Sequence, residues 1–192
     1  SKAELACLRL VAAPSRIRAF WVQDEKGRSE IRAASILENG AAASVPAAVL
    51  RSSSEPIAWL QAAAGPDGSP WIVWSGFDGE DYEILAAPAT ETGIGPGEIL
   101  TSNRDQDLFP AITFLPSGAP LVVWHRPGQG RSGIIARRRS GSAWGREILL
   151  ASTSAPLGRP PVAVAEGGRI GLAWEDAGSI RTALIELADL NG

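Results

Sequence analysis

The 192 residues combine 45% hydrophobic content with a net charge of −3 and a single cysteine. This content predicts a soluble, folded protein, and the apolar runs are too short to span a bilayer as helices. The weak negative charge gives no general attraction to nucleic acid or anionic lipid, so neither is an expected partner. Because Cys7 has no second cysteine to pair with, an internal disulfide and a cysteine-based metal site are excluded.

One pattern repeats four times along the chain, and each copy ends a short apolar run with a tryptophan. The copies read SRIRAFWVQDEKGRSEIRAAS, GSPWIVWSGFDGEDYEILAAP, GAPLVVWHRPGQGRSGIIARR and GRIGLAWEDAGSIRTALIEL. Their tryptophans, Trp21, Trp74, Trp124 and Trp174, are separated by 53, 50 and 50 residues. Internal repeats of this length indicate an architecture of stacked, similar units.

In chain order, each repeat predicts a meander of short antiparallel strands. The first strand precedes a turn rich in Gly, Pro and Asp, the second ends at the tryptophan, and the third follows a polar loop. A fourth strand is predicted in the first three repeats but not in the last. The four repeats cover residues 5–51, 56–101, 108–151 and 160–187. No helix is expected, because 14 Pro and 21 Gly interrupt every long window.

Consecutive apolar residues in the second strand, such as Ile72-Val73-Trp74, predict burial on both faces of each unit. A four-stranded unit of about 50 residues that is covered on both faces has the size of a β-propeller blade. We therefore predict an all-β fold, with residues 1–192 forming a single β-propeller domain of four blade-like repeats. The fourth repeat lacks an outer strand, so a compact four-bladed ring and a larger propeller completed by self-association both stay open.

The run WSGFDGEDYEIL, followed by LTSNRDQDLFPAITFLPSGAPLVVW, resembles the sialidase-like propeller repeats of bacteria, also called BNR or Asp-box repeats. The resemblance extends over nearly the whole chain, repeat by repeat. It implies a propeller fold and an extracytoplasmic location, whether periplasmic, secreted or on the cell surface. The chain begins SKAELA without a methionine, as expected of a mature or excised form, so no signal peptide is part of this sequence.

The motifs that carry sialidase chemistry are incomplete. The Asp-box, Ser-x-Asp-x-Gly-x-Thr-Trp, is matched by Gly141 and Trp144, but Arg139 stands at the aspartate position. Sialidases resemble one another in pairing a tyrosine nucleophile with a glutamate. The single tyrosine, Tyr82, is followed directly by Glu83, and adjacent side chains of a strand point to opposite faces. Sialidase activity is therefore not expected.

The four repeated tryptophans are predicted to be structural, because a large ring at the same place in every repeat suits packing between blades. Three others lie outside this register and are better candidates for ligand contact: Trp59, Trp71 and Trp144. The only histidine, His125, follows Trp124 and is predicted to be an exposed residue of a variable loop. Without a second histidine or a cysteine beside it, zinc binding is not expected.

Charged residues are predicted to collect on one rim of the propeller. In an up-and-down blade, the loop after the second strand and the link to the next blade emerge at the same end. A polar ligand site is therefore predicted there, and its candidate residues are Arg51, Arg104, Asp105, Asp107, His125, Arg126, Arg159, Glu175 and Asp176. Arg51, Arg104 and Arg159 occupy comparable links and form a candidate anion site, because guanidinium groups pair well with carboxylates.

No catalytic Ser/His/Asp set or phosphate-binding glycine loop occurs, and the acidic loop Asp78 to Asp81 lacks the spacing of a calcium motif. We therefore predict no catalytic residue, metal or cofactor. The favoured function is a non-enzymatic module that binds a carbohydrate or a protein on the rim. Two alternatives stay open. One is a glycosidase-like or sialidase-like hydrolase that uses rim carboxylates drawn from Asp81, Asp107 and Asp176, and the other is a partial propeller whose open blade edges pair with a second copy.

Overall fold

The computed structural model describes residues 3–13, 16–36, 47–95, 97–128 and 132–188. These ranges contain sixteen β-strands, and none of their residues belongs to a helix long and apolar enough to cross a membrane. The all-β class predicted from the turn residues and the short apolar runs is confirmed.

The strands form four antiparallel sheets, one for each repeat. The first contains, in spatial order, β1 (Glu4–Ala13), β2 (Arg16–Glu25), β3 (Arg28–Ile36) and β4 (Ala48–Ser53). The second contains β5 (Ile57–Ala64), β6 (Pro70–Phe77), β7 (Tyr82–Pro88) and β8 (Glu98–Ile99). The third contains β9 (Leu108–Phe114), β10 (Pro120–Arg126), β11 (Ser132–Ser140), the short β12 (Ala143–Trp144) and β13 (Ile148–Thr153), the last two both paired with β11. The fourth contains β14 (Val162–Glu166), β15 (Arg169–Asp176) and β16 (Ser179–Glu186).

The turn between the first two strands follows from local chemistry. Gly68 and Gly118 have φ angles of 78° and 85°, a region that glycine adopts without steric cost. In the second sheet, Asp67 accepts a hydrogen bond from the backbone N–H of Ser69 at 2.9 Å. The glycine conformation and this hydrogen bond reverse the chain within a few residues, so that β5 and β6 can pair along their length.

The sheets stack face to face, with the first strand of each sheet innermost, so that β1 packs on β5, β5 on β9 and β9 on β14. Trp74 is 1% exposed and shares a core with Phe20 of the preceding sheet. Trp124 is fully buried and shares a core with Val73 of the preceding sheet. The third interface is formed by Val123, Ile134, Ile170 and Leu172. Burial on both faces of the middle sheets is therefore confirmed, and the stacked meanders have the architecture of a β-propeller.

Each of the two terminal sheets has one apolar face that no other described residue covers, and we call these two faces the open flank. On the first sheet it is formed by Leu5, Leu10, Ile17, Ile36 and Val49, which the strand register places on one face. On the fourth sheet it is formed by Val162, Val164, Ile180 and Leu184. Among the described residues, β1 and β14 make no packing comparable to that between neighbouring inner strands. In the described part of the chain, the fourth sheet therefore does not pack on the first as neighbouring sheets pack on each other, and the number of blades stays a prediction.

Candidate functional site

The rim forms where the second strands end, because each link lies beside the loop of the following sheet. In the second sheet, Phe77 donates its backbone N–H to Pro56 of the preceding link at 3.0 Å. In the fourth sheet, the backbone N–H of Ser154 donates to Asp176 at 2.9 Å. The predicted meeting of links and loops therefore occurs in the structure.

Asp107 and Arg126 lie at the centre of a closed polar network on this rim. Asp107 is fully buried and accepts hydrogen bonds from Trp124 Nε1 at 2.6 Å, Arg126 Nε at 2.7 Å and Asn103 Nδ2 at 2.8 Å. Arg126 also donates to Glu147 at 2.7 Å, which holds the pKa of the Glu147 carboxyl below its usual range. The buried charge of Asp107 is paired with Arg126. Because Asp107 lies in the link before β9 and Arg126 lies in β10, this network joins the link to the third sheet.

The prediction that His125 is an exposed loop residue was wrong. Strand β10 continues to Arg126, so His125 shares the face of Val123, which packs toward the fourth sheet. The side chain is fully buried, with Nε2 at 2.8 Å from Ser132 Oγ and Nδ1 without a hydrogen-bond partner among the described residues. Burial lowers the pKa of His125 from 6.5 to about 4, so the ring is neutral at pH 7.

The remaining candidates each have their own surroundings in the structure. Asp176 is buried and accepts hydrogen bonds from the hydroxyl and backbone of the Ser154 turn, which lowers the pKa of its carboxyl. Arg159 pairs with Glu175 at 3.0 Å in the fourth sheet, whereas Arg51 lies over the ring of Trp74 at 5.4 Å, at the first interface. The other two, Arg104 and Asp105, are exposed. A shared anion site formed by the three arginines therefore stays a prediction.

Three carboxyl groups that sequence reasoning did not group together meet at the end of the second sheet. One oxygen each of Asp78, Asp81 and Glu83 lies within 4.8 Å of the other two. Asp78 accepts hydrogen bonds from the backbone N–H groups of Glu80 and Asp81, and this turn brings Asp81 back over the start of β7. The sequence shows the acidic loop, but alternation along β7 predicts that Glu83 points away from Tyr82, so Glu83 is not among the predicted site residues.

The environments of these three groups differ. Asp81 and Glu83 are 4% and 5% exposed, and Asp81 Oδ1 and Glu83 Oε2 have no hydrogen-bond partner among the described residues. Burial raises the pKa of both carboxyls, and neighbouring negative charges raise them further. Asp78 is exposed, and the backbone N–H of Glu80 lowers its pKa. Within a few ångströms, therefore, one carboxyl is held ionised and two retain a proton more readily.

A cavity of about 220 Å³ opens beside this cluster, between the first and second sheets. Asp78 and Glu83 both line it, together with Arg51, Trp74 and Phe77. Its size suits a small ligand or one sugar residue. The three carboxylate oxygens are also close enough for one cation to contact all of them, and the absence of a metal stays a prediction.

No protein-family model matches the chain, and no curated protein matches it. Solved structures do resemble it. An endo-arabinase from Bacteroides thetaiotaomicron has a TM-score of 0.58 at 13% identity, over 93% of this chain and 73% of the enzyme. The catalytic domain of a GH62 α-L-arabinofuranosidase from Coprinopsis cinerea has a TM-score of 0.56 at 11% identity, over 96% of this chain and 68% of that domain. A hypothetical protein from Leishmania major has a TM-score of 0.56 at 10% identity, over 92% and 65%.

The likeness to these two enzymes supports a β-propeller fold, whereas Asp-box repeats are not confirmed. The prediction of a non-enzymatic binding module is corrected by this comparison, which favours the hydrolase alternative. The physical reason for the error lies in the carboxylates. Asp107 and Asp176 hold the fold together through hydrogen bonds, whereas the carboxyl groups that converge include Glu83, which is not among the rim carboxylates predicted from sequence.

Proposed function

We propose that the protein is a carbohydrate-active hydrolase that cleaves a glycosidic bond at the cavity between the first and second sheets. The observation that carries the proposal is a pair of carboxyl groups, Asp78 and Glu83, that line one cavity and have pKa values shifted in opposite directions. Glycoside hydrolysis requires such a pair, one protonated and one ionised. The glycoside hydrolases that share this fold support the substrate class.

Glu83 is suited to be the general acid, because burial raises its pKa and keeps the proton that the leaving oxygen must receive. Its Oε1 accepts the backbone N–H of Asn103 at 2.8 Å, which holds the side chain in place, while Oε2 has no hydrogen-bond partner in the part of the chain that the structure describes. Asp81 lies beside it, and its negative charge raises the pKa of Glu83 further.

Asp78 is suited to be the nucleophile, because hydrogen bonds to its carboxylate keep it ionised. Its oxygen forms a bond to the anomeric carbon while the glycosidic C–O bond breaks and the leaving oxygen takes the proton of Glu83. Water then attacks the anomeric carbon, returns a proton to Glu83 and releases Asp78. The oxygen separation of at most 4.8 Å resembles the roughly 5 to 5.5 Å of retaining enzymes, so we expect retention of configuration.

Arg51 lines the same cavity and offers guanidinium donors to substrate hydroxyl groups. A sialidase mechanism with Tyr82 as the nucleophile is less suitable, because the ring of Tyr82 makes edge-on contacts with the rings of Trp59 and Phe77. We therefore expect neutral glycosides, with arabinose-containing glycans tested first because the similar enzymes are named for them. An extracytoplasmic location is part of this proposal.

The test measures hydrolysis of 4-nitrophenyl glycosides, including α-L-arabinofuranoside, by the wild type and by Asp78→Ala and Glu83→Ala. We expect roughly 10²-fold or greater losses of kcat. Azide should restore activity to both variants, giving a glycosyl azide of inverted configuration with Asp78→Ala and of retained configuration with Glu83→Ala. Glu166→Ala, which removes an exposed carboxylate of the fourth sheet, is the matched control and should keep full activity.

Folding is checked with Glu83→Gln. The raised pKa of Glu83 means that its contribution to stability is present below the ordinary value of 4.5 and is lost as the pH rises through the folded-state pKa. A neutral glutamine should therefore melt no lower than the wild type at pH 7. Full activity in either alanine variant, or no hydrolysis of any glycoside by the wild type, would overturn the proposed function.

A further inference from the structure

Four aromatic side chains form a continuous array beside the proposed acid. The ring of Tyr82, next to Glu83 in sequence, lies 5.2 Å from Trp59 with the planes at 63°, and 5.4 Å from Phe77 with the planes at 60°. Trp59 in turn lies 4.7 Å from Phe109, which belongs to the next inner strand. All four side chains are half-buried, so each keeps part of its ring accessible.

This array meets the cavity at Phe77. Phe77 lines the cavity that holds Asp78 and Glu83, and it also contacts Tyr82. From Tyr82 the rings lead through Trp59 to Phe109, along the inner strands β5 and β9. The cavity has room for little more than one sugar residue, so a longer substrate would extend along these rings.

The backbone at two of these rings is strained. Trp59 and Phe109 have φ angles of 50° and 56°, a left-handed conformation that disfavours large side chains. Each lies at a shift in strand register, a β-bulge that turns a side chain out of the regular alternation. Cys7 has the same conformation in β1, so the bulge belongs to the repeat, whereas the aromatic ring on it is particular to β5 and β9. Strain of this kind at large side chains is typical of sites where the ring has a function.

We propose that Trp59, Tyr82 and Phe109 form a stacking platform for the sugar rings of a neutral oligosaccharide, so that the site acts on chains rather than on single glycosides. This inference rests on the proposed function. The apolar face of a sugar ring packs on an aromatic face, and hydroxyl groups at its edge remain in water. Neutral chains are favoured because the carboxylates of Asp78 and Asp81 lie in the loop directly before Tyr82, and because burial, together with the negative charge of Asp24, raises the pKa of Tyr82.

The test is Trp59→Gly, compared with Trp59→Phe. Glycine suits the left-handed backbone, so this variant removes the ring without adding strain. We expect about a tenfold or greater rise in KM for arabinohexaose, an unchanged kcat/KM for the 4-nitrophenyl glycoside, and rescue by phenylalanine. The matched control is Trp21→Ala, a half-buried tryptophan on the face of the first sheet that carries Leu10, which should leave both substrates unaffected.

Binding is measured separately by saturation-transfer NMR with arabinohexaose and with a galacturonate hexamer as the anionic probe. Wild type should bind the neutral chain in preference, and Trp59→Gly should lose that binding. Unchanged KM and binding in Trp59→Gly would overturn the platform while leaving the proposed function standing. If no glycoside is hydrolysed, the binding result still decides the platform, and equal binding of the anionic hexamer would overturn its preference for neutral chains.

Discussion

Trp74 and Trp21 occupy the same place in consecutive repeats, but they have different surroundings. Trp74 packs against the first sheet and is 1% exposed, whereas Trp21 shares the uncovered face of the first sheet with Leu10, which is 62% exposed. At the other end, Val164 and Leu184 of the fourth sheet are 57% and 64% exposed. In a repeat protein, burial therefore depends on which sheet lies in front of a residue as well as on its place in the repeat.

The sharpest test of this comparison replaces the same tryptophan at a closed interface and at the open flank. Trp124→Ala should cost about 3 to 5 kcal/mol of unfolding free energy, because it leaves a large cavity and removes a donor from buried Asp107. Trp21→Ala should cost much less, about 1 kcal/mol, because its face is uncovered. Urea unfolding of both variants provides the measurement, and equal losses would show that the open flank is covered in solution.

A second test uses pH at the interface between the third and fourth sheets. His125 titrates at about 4 in the folded protein and near 6.5 when unfolded, so the unfolded state binds the proton first as the pH falls. Stability should therefore decrease from pH 6.5 down to about 4, by roughly 3 kcal/mol, and this contribution should then level off. His125→Gln should lack this decrease in a series of urea titrations. An identical pH dependence in both proteins would contradict the burial of His125.

The smallest effect on stability is expected at the open flank itself. Leu10→Glu with Val164→Glu should change the unfolding free energy of the monomer by about 0.5 kcal/mol or less, because both side chains are largely exposed. The self-association that the sequence leaves open as an alternative gives these variants a second readout. If the open flank pairs with a second copy, sedimentation velocity should find the wild type as an oligomer and the double variant as a monomer. A monomeric wild type would exclude that alternative.

Much of the fold could be predicted because its signals are local and repeated. The strand that begins at Ile57, the strand that ends near Trp74 and the three-stranded fourth sheet follow from apolar runs, turn residues and the tryptophan spacing. The bulges at Trp59 and Phe109 could not be predicted, because a register shift of one residue leaves no mark in composition.

The candidate site could be predicted in part. The rim and its acidic loop follow from the order of the strands, but the separation of roles among the charged residues does not. Asp107 and Asp81 look alike in sequence, yet the first pairs with Arg126 and accepts a hydrogen bond from Trp124, whereas Oδ1 of the second is buried without a partner among the described residues. Such differences depend on side chains that are distant in sequence, up to 19 residues for the pair of Asp107 and Arg126.

The sequence by itself determined the all-β class, the repeat and the end of the sheets at which charged residues collect, because each of these depends on short-range patterns of apolar and turn residues. Only the tertiary structure decided that His125 is buried, that Asp78 and Glu83 face one cavity, and that one face of each terminal sheet stays uncovered. The physical reason is that desolvation and the pairing of charges depend on the neighbours that folding brings together, and these neighbours lie in other strands or other sheets.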